Sequence, residues 1–178
     1  MVEYKSFSPD VEIIGDSILS VMEGMGAFKK TAYQILENNG IKDPAPQKWF
    51  NFQNYLNAFK EIAEKLGNAT LKVVGMKLSK NAVFPPELDI IEKVLTVMDQ
   101  AYHMHYKNGE IGHYSFECNG NNKGIMTCNN PYPCAYNIGI IEGLMYKLSK
   151  EGQLPTVKHI PGDCRMDGAK HCCYELSW

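Results

Sequence analysis

Apolar residues recur every three or four positions over much of the first 110 residues, which is the spacing of amphipathic helices. Gly24 and Gly26 interrupt the first of these stretches, and a loop with two prolines in three residues precedes the second. A short β-branched stretch, TLKVVGM, predicts one strand among them. The predicted helices are therefore 11–40 in two pieces, 47–66 and 86–106, and the predicted strand is 70–76.

After Asn108 the apolar spacing changes from helical to alternating. The segment NGNNK between two alternating runs predicts a hairpin, because Asn and Gly tolerate positive φ. We therefore predict an α+β fold in which helices pack on an antiparallel sheet. A single domain of residues 1–178 is expected, with 1–84 mainly helical. The predicted strands are 111–118, 123–128, 155–161 and 172–178, and a further helix spans 136–149.

Composition excludes several classes of function. A net charge of -2 and a pI near 6.2 give no electrostatic reason to expect a nucleic-acid partner. The sequence has no run of 18 apolar residues, so it predicts no membrane span. The N-terminal MVEYKSFSPD lacks the apolar core of a signal peptide. We therefore expect a cytoplasmic protein that contacts neither nucleic acid nor membrane.

The six cysteines all lie in the last 61 residues. In a reducing compartment, clustered cysteines are more often metal ligands or reactive thiols than disulfides. Cys128 and Cys134 flank a proline loop, and Cys164 and Cys172 flank an Asp-Gly turn. Four thiolates on two short loops predict a closed tetrahedral site for zinc, with an iron–sulfur cluster as the alternative. Buried thiols that bind no metal are the structural alternative.

The second half of the chain is rich in tyrosine, and an aromatic cavity with hydroxyl groups suits a small hydrophobic or aromatic ligand. Such a cavity is expected between the helix 86–106, the hairpin and the helix 136–149. Ordinary core packing is the alternative for each of these side chains. The candidate lining residues are Tyr102, His113, Tyr114, Phe116 and Tyr136.

The stretches NPYPCAYNIGIIEGLMYKL and GDCRMDGAKHCCYELSW resemble the 4-vinyl-reductase-type small-molecule-binding domain, over roughly residues 85–178. That pattern places a cysteine before a helix with glycines on one face, and then a cysteine pair eight positions apart around a Gly-containing turn. The matching residues are Cys134, Gly139, Gly143, Cys164, Gly168 and Cys172.

The resemblance implies a structural zinc bound by Cys134, Cys164 and Cys172, with a fourth ligand upstream. Three residues are candidates for this fourth ligand. Glu117 is acidic, as in the family, and Cys118 and Cys128 are thiols. Cys128 is preferred because it is nearer in sequence to the other cysteines and is chemically the better ligand. Cys118 and Cys173 are then expected to be bystanders. The same fold is distantly akin to haem-based nitric-oxide sensors and to Golgi vesicle-tethering components of the transport-protein-particle type.

Three functions remain open from the sequence. The preferred one is a small-molecule binding or sensing domain that acts by dimerising or by docking on a partner protein. The second is a reductase or redox protein that uses an iron–sulfur cluster, a haem or another tetrapyrrole, although no nicotinamide or flavin motif supports it. The third is a thiol redox switch. No catalytic residue is assigned.

Overall fold

The computed structural model describes residues 3–178 and contains six α-helices and seven strands among them. The helices are α1 (Gly15–Gly24), α2 (Lys29–Asn38), α3 (Phe52–Leu66), α4 (Asn68–Asn81), α5 (Ile91–His103) and α6 (Cys134–Leu148). The strands are β1 (Glu12–Ile14), β2 (Trp49–Asn51), β3 (Tyr106–Lys107), β4 (His113–Gly120), β5 (Lys123–Asn129), β6 (Thr156–His159) and β7 (Cys172–Ser177).

The main sheet has four antiparallel strands in the order β4-β5-β7-β6, as the alternating C-terminal pattern predicts. The β4–β5 hairpin turns at Asn121 and Asn122, which both adopt positive φ. A smaller sheet, β2-β1-β3, joins the start of the chain to the segment after α5. The predicted α+β fold class is thus confirmed.

The segment 70–76 is helical, so the predicted strand there is wrong. It lies within α4, which packs along α6. The closest approaches are at glycines: a Cβ on Gly139 would lie 2.1 Å from the Lys72 carbonyl oxygen, and one on Gly75 would lie 2.6 Å from the Tyr136 carbonyl oxygen. These glycines let the segment pack as a helix against α6, a tertiary effect that overrides the local strand propensity of its β-branched residues.

Two predicted helix boundaries also differ. The third helix begins at Phe52, because Trp49–Asn51 pairs with β1 and the Asn51 side chain accepts a hydrogen bond from the Asn54 backbone N–H at 3.1 Å. The helix predicted from residue 86 begins at Ile91. The break at Gly24 and Gly26 is present, since a 3-10 turn there separates α1 from α2.

The apolar interior consists of two clusters of buried side chains. One lies among α1–α4 and includes Met22, Leu36 and Phe59. The other lies between α5, α6 and the inner face of the main sheet and includes Leu95 and Met145. Tyr102 and Ile140 pack against both clusters, so the helical N-terminal part and the C-terminal part share an aromatic boundary.

Candidate metal centre

Three cysteines and one histidine meet at one end of the main sheet. Cys134 is the first residue of α6, His159 is the last of β6 and Cys172 is the first of β7. Cys164 lies in the connection between β6 and β7, directly before a 3-10 turn that ends at Gly168. Gly168 has φ +90, a conformation that glycine adopts without strain, and this closes the turn predicted at Asp167-Gly168.

The distances within this group suit one ion. The Cys134 Sγ lies 3.3 Å from the Cys172 Sγ and 3.6 Å from the Cys164 Sγ, and the Cys164 and Cys172 sulfurs are 3.8 Å apart. A ring nitrogen of His159 lies within 4.8 Å of all three sulfurs. Sulfurs that are each about 2.3 Å from a zinc ion are separated by similar distances. We call Cys134, His159, Cys164 and Cys172 the Cys3His group.

A buried arginine holds the Cys3His group to the loop before α6. Arg165 is only 6% exposed, and its Nε and backbone N–H donate to the Cys172 Sγ at 3.3 and 3.5 Å. Its two terminal nitrogens donate to the carbonyl oxygens of Asn130 and Tyr132, the latter at 2.7 Å. A buried guanidinium needs a compensating negative charge, so this arrangement is suited to a thiolate at Cys172.

The pKa shifts agree with a thiolate at Cys172. A hydrogen bond with Cys134, helped by the donors of Arg165, lowers the pKa of Cys172 to about 4 against the opposing effect of burial. The same hydrogen bond and burial raise the pKa of Cys134. Burial is the largest single effect on Arg165 and lowers its pKa, but the hydrogen bond to Cys172 and the nearby charges of Cys172, Glu3 and Cys134 together raise its pKa above the ordinary value. Without a metal, one proton therefore stays on Cys134 and the negative charge stays on Cys172.

A buried tyrosine hydroxyl lies close to the same sulfurs. Tyr174 follows Cys172 by two positions on the inner face of β7, is 0% exposed, and packs at a tilt against the His159 ring with centroids 4.5 Å apart. Its hydroxyl lies near the Cys134 sulfur, but none of the described residues accepts a hydrogen bond of normal geometry from it. Burial, with the nearby Cys128, Cys134 and Cys172, raises its pKa, so it stays protonated. An unpaired buried donor beside sulfur atoms is the arrangement expected where a thiolate acceptor belongs.

The other predicted ligands lie outside the Cys3His group. Cys128 pairs in register with Cys172, but it is fully buried in the apolar cluster beneath the sheet, and burial raises its pKa. Glu117 and Cys118 are exposed on β4. Cys173 contacts Thr127 Oγ1 at 3.4 Å. The structure thus brings together the three cysteines of the resemblance and places a histidine, not Cys128, beside them.

The five residues predicted to line a ligand cavity are divided between core and surface. Tyr102, Tyr114 and Tyr136 pack among other aromatic rings, and the Tyr114 hydroxyl donates to Asn137 Oδ1 at 2.7 Å. Phe116 packs against Trp178, whereas His113 is exposed. Two of the clefts in the described surface, one beside α2 and one between α1 and α4, are lined by none of them. The ligand role of these five side chains stays a prediction.

Sequence reasoning missed His159 and Arg165. His159 precedes Cys164 by five positions, and the spacing His-x4-Cys-x7-Cys is a signal that could have indicated it as a ligand. Arg165 directly follows Cys164, but its burial and its bonds to a distant loop depend on tertiary structure.

Comparison with known proteins identifies the fold. No family model matches this sequence, and no curated protein does. Solved structures do match: an H-NOX protein from S. oneidensis in the Fe(II)NO ligation state superposes with a TM-score of 0.71 at 18% identity, over 93% of this chain and 98% of that one. The chain has an H-NOX-like fold.

Two further structures agree. An oxygen-binding H-NOX domain related to soluble guanylate cyclases gives a TM-score of 0.64 at 14% identity, over 92% of this chain and 93% of that one. A structure whose subject is the change of haem redox potential by porphyrin distortion gives a TM-score of 0.65 at 15% identity, over 93% of this chain and 100% of that one. The predicted kinship with haem nitric-oxide sensors is thereby supported in fold, whereas no 4-vinyl-reductase protein is among these matches.

The clefts beside α2 and between α1 and α4 do not fit a haem, and neither does the aromatic boundary between the apolar clusters. A haem needs an apolar slot and an axial ligand that faces into it. These two clefts in the described surface, of about 690 and 340 Å³, are lined by neither histidine nor cysteine. In the N-terminal cluster, the rings of Phe59, Tyr132 and Tyr136 pack with centroids about 5 Å apart, and Tyr102 contacts Tyr114 across the boundary between the clusters at 5.2 Å. These two clefts therefore offer a haem no axial ligand, and the aromatic boundary between the clusters is closely packed.

None of the helices in residues 3–178 has the length and apolarity that crossing a membrane requires.

Proposed function

We propose that this chain is a small-molecule-sensing domain of H-NOX-like fold that is stabilised by one zinc ion bound to Cys134, His159, Cys164 and Cys172. The sensing role rests on the likeness to H-NOX domains, which are described as binding oxygen or as Fe(II)NO complexes. The metal rests on one observation, the mutual approach of four donor atoms within 4.8 Å from α6, β6, β7 and the β6–β7 connection.

The chemistry of the donors favours zinc. Three thiolates and a neutral imidazole form a closed tetrahedral set, which is the usual ligand set of a structural zinc ion. Three thiolates and Zn²⁺ leave one negative charge, and the buried Arg165 guanidinium neutralises it. The Tyr174 hydroxyl would donate to the Cys134 thiolate and so gain the partner it lacks. Four protein ligands leave no position for activated water, so the role is structural and not catalytic.

We propose His159 in place of Cys128 as the fourth ligand. Cys128, Cys164 and Cys172 all belong to the same apolar cluster, but the Cys128 sulfur is not among the donor atoms that lie within 4.8 Å of one another, whereas a His159 ring nitrogen is. Burial also raises the pKa of Cys128, which favours its thiol. The Tyr174 ring packs against the imidazole at a tilt of 32°, and this contact limits the orientations open to the ring.

Metal analysis of protein purified without oxidation tests the site. About one zinc per chain is expected, and replacement with Co²⁺ should give the visible bands of a tetrahedral thiolate site. His159→Ala and Cys164→Ser should each lose most of the metal. Cys118→Ser and Cys173→Ser are matched controls and should keep it, because neither sulfur belongs to the Cys3His group.

Two results would contradict the proposal. Metal content unchanged in His159→Ala and lost in Cys128→Ala would make Cys128 the fourth ligand. The second result is well-folded protein that contains no metal and that binds one equivalent of haemin with a shifted Soret band. Haem would then be the supported cofactor and not zinc.

A further inference from the structure

A second group of metal-binding side chains lies at the end of α5 and the start of β4, on elements that contribute nothing to the Cys3His group. Asp99 and His103 are four positions apart on α5 and so lie on the same helix face. His113, the first residue of β4, faces them. A carboxylate oxygen of Asp99 and one ring nitrogen of each histidine lie within 4.8 Å of one another.

The carboxylate between the histidines is held in place. Asp99 Oδ1 accepts a hydrogen bond from the Tyr114 backbone N–H at 2.8 Å, and Asp99 Oδ2 lies 3.2 Å from His113 Nδ1. The His103 Nδ1 is hydrogen-bonded to the Asp99 backbone carbonyl oxygen at 2.9 Å and lies 3.6 Å from Asp99 Oδ1. The two imidazoles stack with centroids 4.9 Å apart and an interplanar angle of 30°. The three side chains are therefore ordered against one another before any ion binds.

A second carboxylate lies behind His113. Glu110 Oε1 is 3.7 Å from His113 Nε2, and the Gly112 backbone N–H donates to the same oxygen at 2.6 Å. A separation of 3.7 Å is too long for a hydrogen bond, so Glu110 adds a nearby negative charge without fixing the ring. His113 Nδ1, which is 3.2 Å from Asp99 Oδ2, is the ring nitrogen that could share an ion with that carboxylate.

We propose that Asp99, His103 and His113 bind a divalent transition-metal ion of the nickel, cobalt or zinc class at this surface. Two imidazoles and one carboxylate are a donor set suited to these ions and poorly suited to Mg²⁺ or Ca²⁺, which require mainly oxygen ligands. The side chains of Asp99, His103 and His113 are 34%, 39% and 56% exposed, so water completes the coordination. The site is open and its ion exchangeable, unlike the closed Cys3His group.

A Ni²⁺ titration of the full-length protein tests this site, with heat of binding as one measurement and paramagnetic broadening of the histidine ring signals in NMR spectra as the other. Ni²⁺ should broaden the His103 and His113 signals first. His103→Ala and His113→Ala should each weaken this binding at least about tenfold, since loss of a supporting carboxylate alone weakens metal sites by about 10- to 100-fold. The matched control is His105→Ala, which removes a histidine two positions from His103 that does not belong to the group.

The NMR measurement separates this site from the Cys3His group. Broadening confined to His159 would locate Ni²⁺ at the cysteines and overturn the second site, as would equal affinity in the wild type and in both alanine variants. Equal loss in His105→Ala would indicate nonspecific binding to surface histidines and would also overturn it. Because the readout is specific to each histidine, failure of the zinc proposal leaves this test unchanged.

Discussion

Replacement of Arg165 by methionine tests whether the Cys3His group is built for thiolates. Methionine keeps much of the apolar stem but removes the guanidinium, which donates to Cys172 Sγ and to the carbonyl oxygens of Asn130 and Tyr132. Removing one partner of a buried charged pair destabilises a protein by about 3–5 kcal/mol. Each carbonyl left without a donor adds about 1–3 kcal/mol unless water reaches it. We therefore expect Arg165→Met to lower the free energy of unfolding by at least about 3 kcal/mol.

Urea denaturation of the metal-loaded protein measures this loss, and two further variants assign it. Arg165→Lys keeps the charge but lacks the planar guanidinium, whose nitrogens donate to three acceptors at once. It should therefore recover only part of the stability. Because Cys172→Ser removes a proposed metal ligand, its comparison with the wild type is made on metal-free protein. In that background Arg165→Met should be less destabilising than in the wild type, since the thiolate that Arg165 neutralises is already absent. A loss below about 1 kcal/mol, or equal losses in both backgrounds, would refute the argument that Arg165 and the Cys172 thiolate are coupled.

Two further predictions concern helix packing and pH. Gly139→Ala should destabilise the fold by about 1–3 kcal/mol in thermal or urea unfolding, although alanine has the better helix propensity. The new Cβ would lie 2.1 Å from the Lys72 carbonyl oxygen, and a backbone atom cannot move aside as a side chain can. Unchanged stability would show that α4 and α6 are not this close. In metal-free protein, the pKa of Cys172 is near its ordinary value of 9.0 in the unfolded state and about 4 in the folded state, while Cys134 keeps its proton in both states below pH 9. The unfolded state then binds one more proton between these values, so the free energy of unfolding should rise with pH there, by at most about 1.4 kcal/mol per pH unit. Cys172→Ser should flatten this slope, and an equal slope in that variant would assign it to other groups.

The amino-acid sequence by itself determined the α+β class and the β4–β5 hairpin. These depend on local rules: alternating polarity marks strands, and Asn and Gly permit the tight turn. The spacing of the three cysteines, around the Asp-Gly turn and at the start of α6, is likewise a property of the sequence alone.

Only the tertiary structure decided what surrounds those cysteines. Cys128 and His159 are both near Cys172 in the sheet, yet only a His159 ring nitrogen lies within 4.8 Å of the sulfurs of Cys134, Cys164 and Cys172. The helical state of 70–76 likewise depends on α6, which α4 contacts through backbone at Gly75. Residues far apart in the chain make these contacts, and local spacing carries no information about which of two chemically suitable side chains reaches the site.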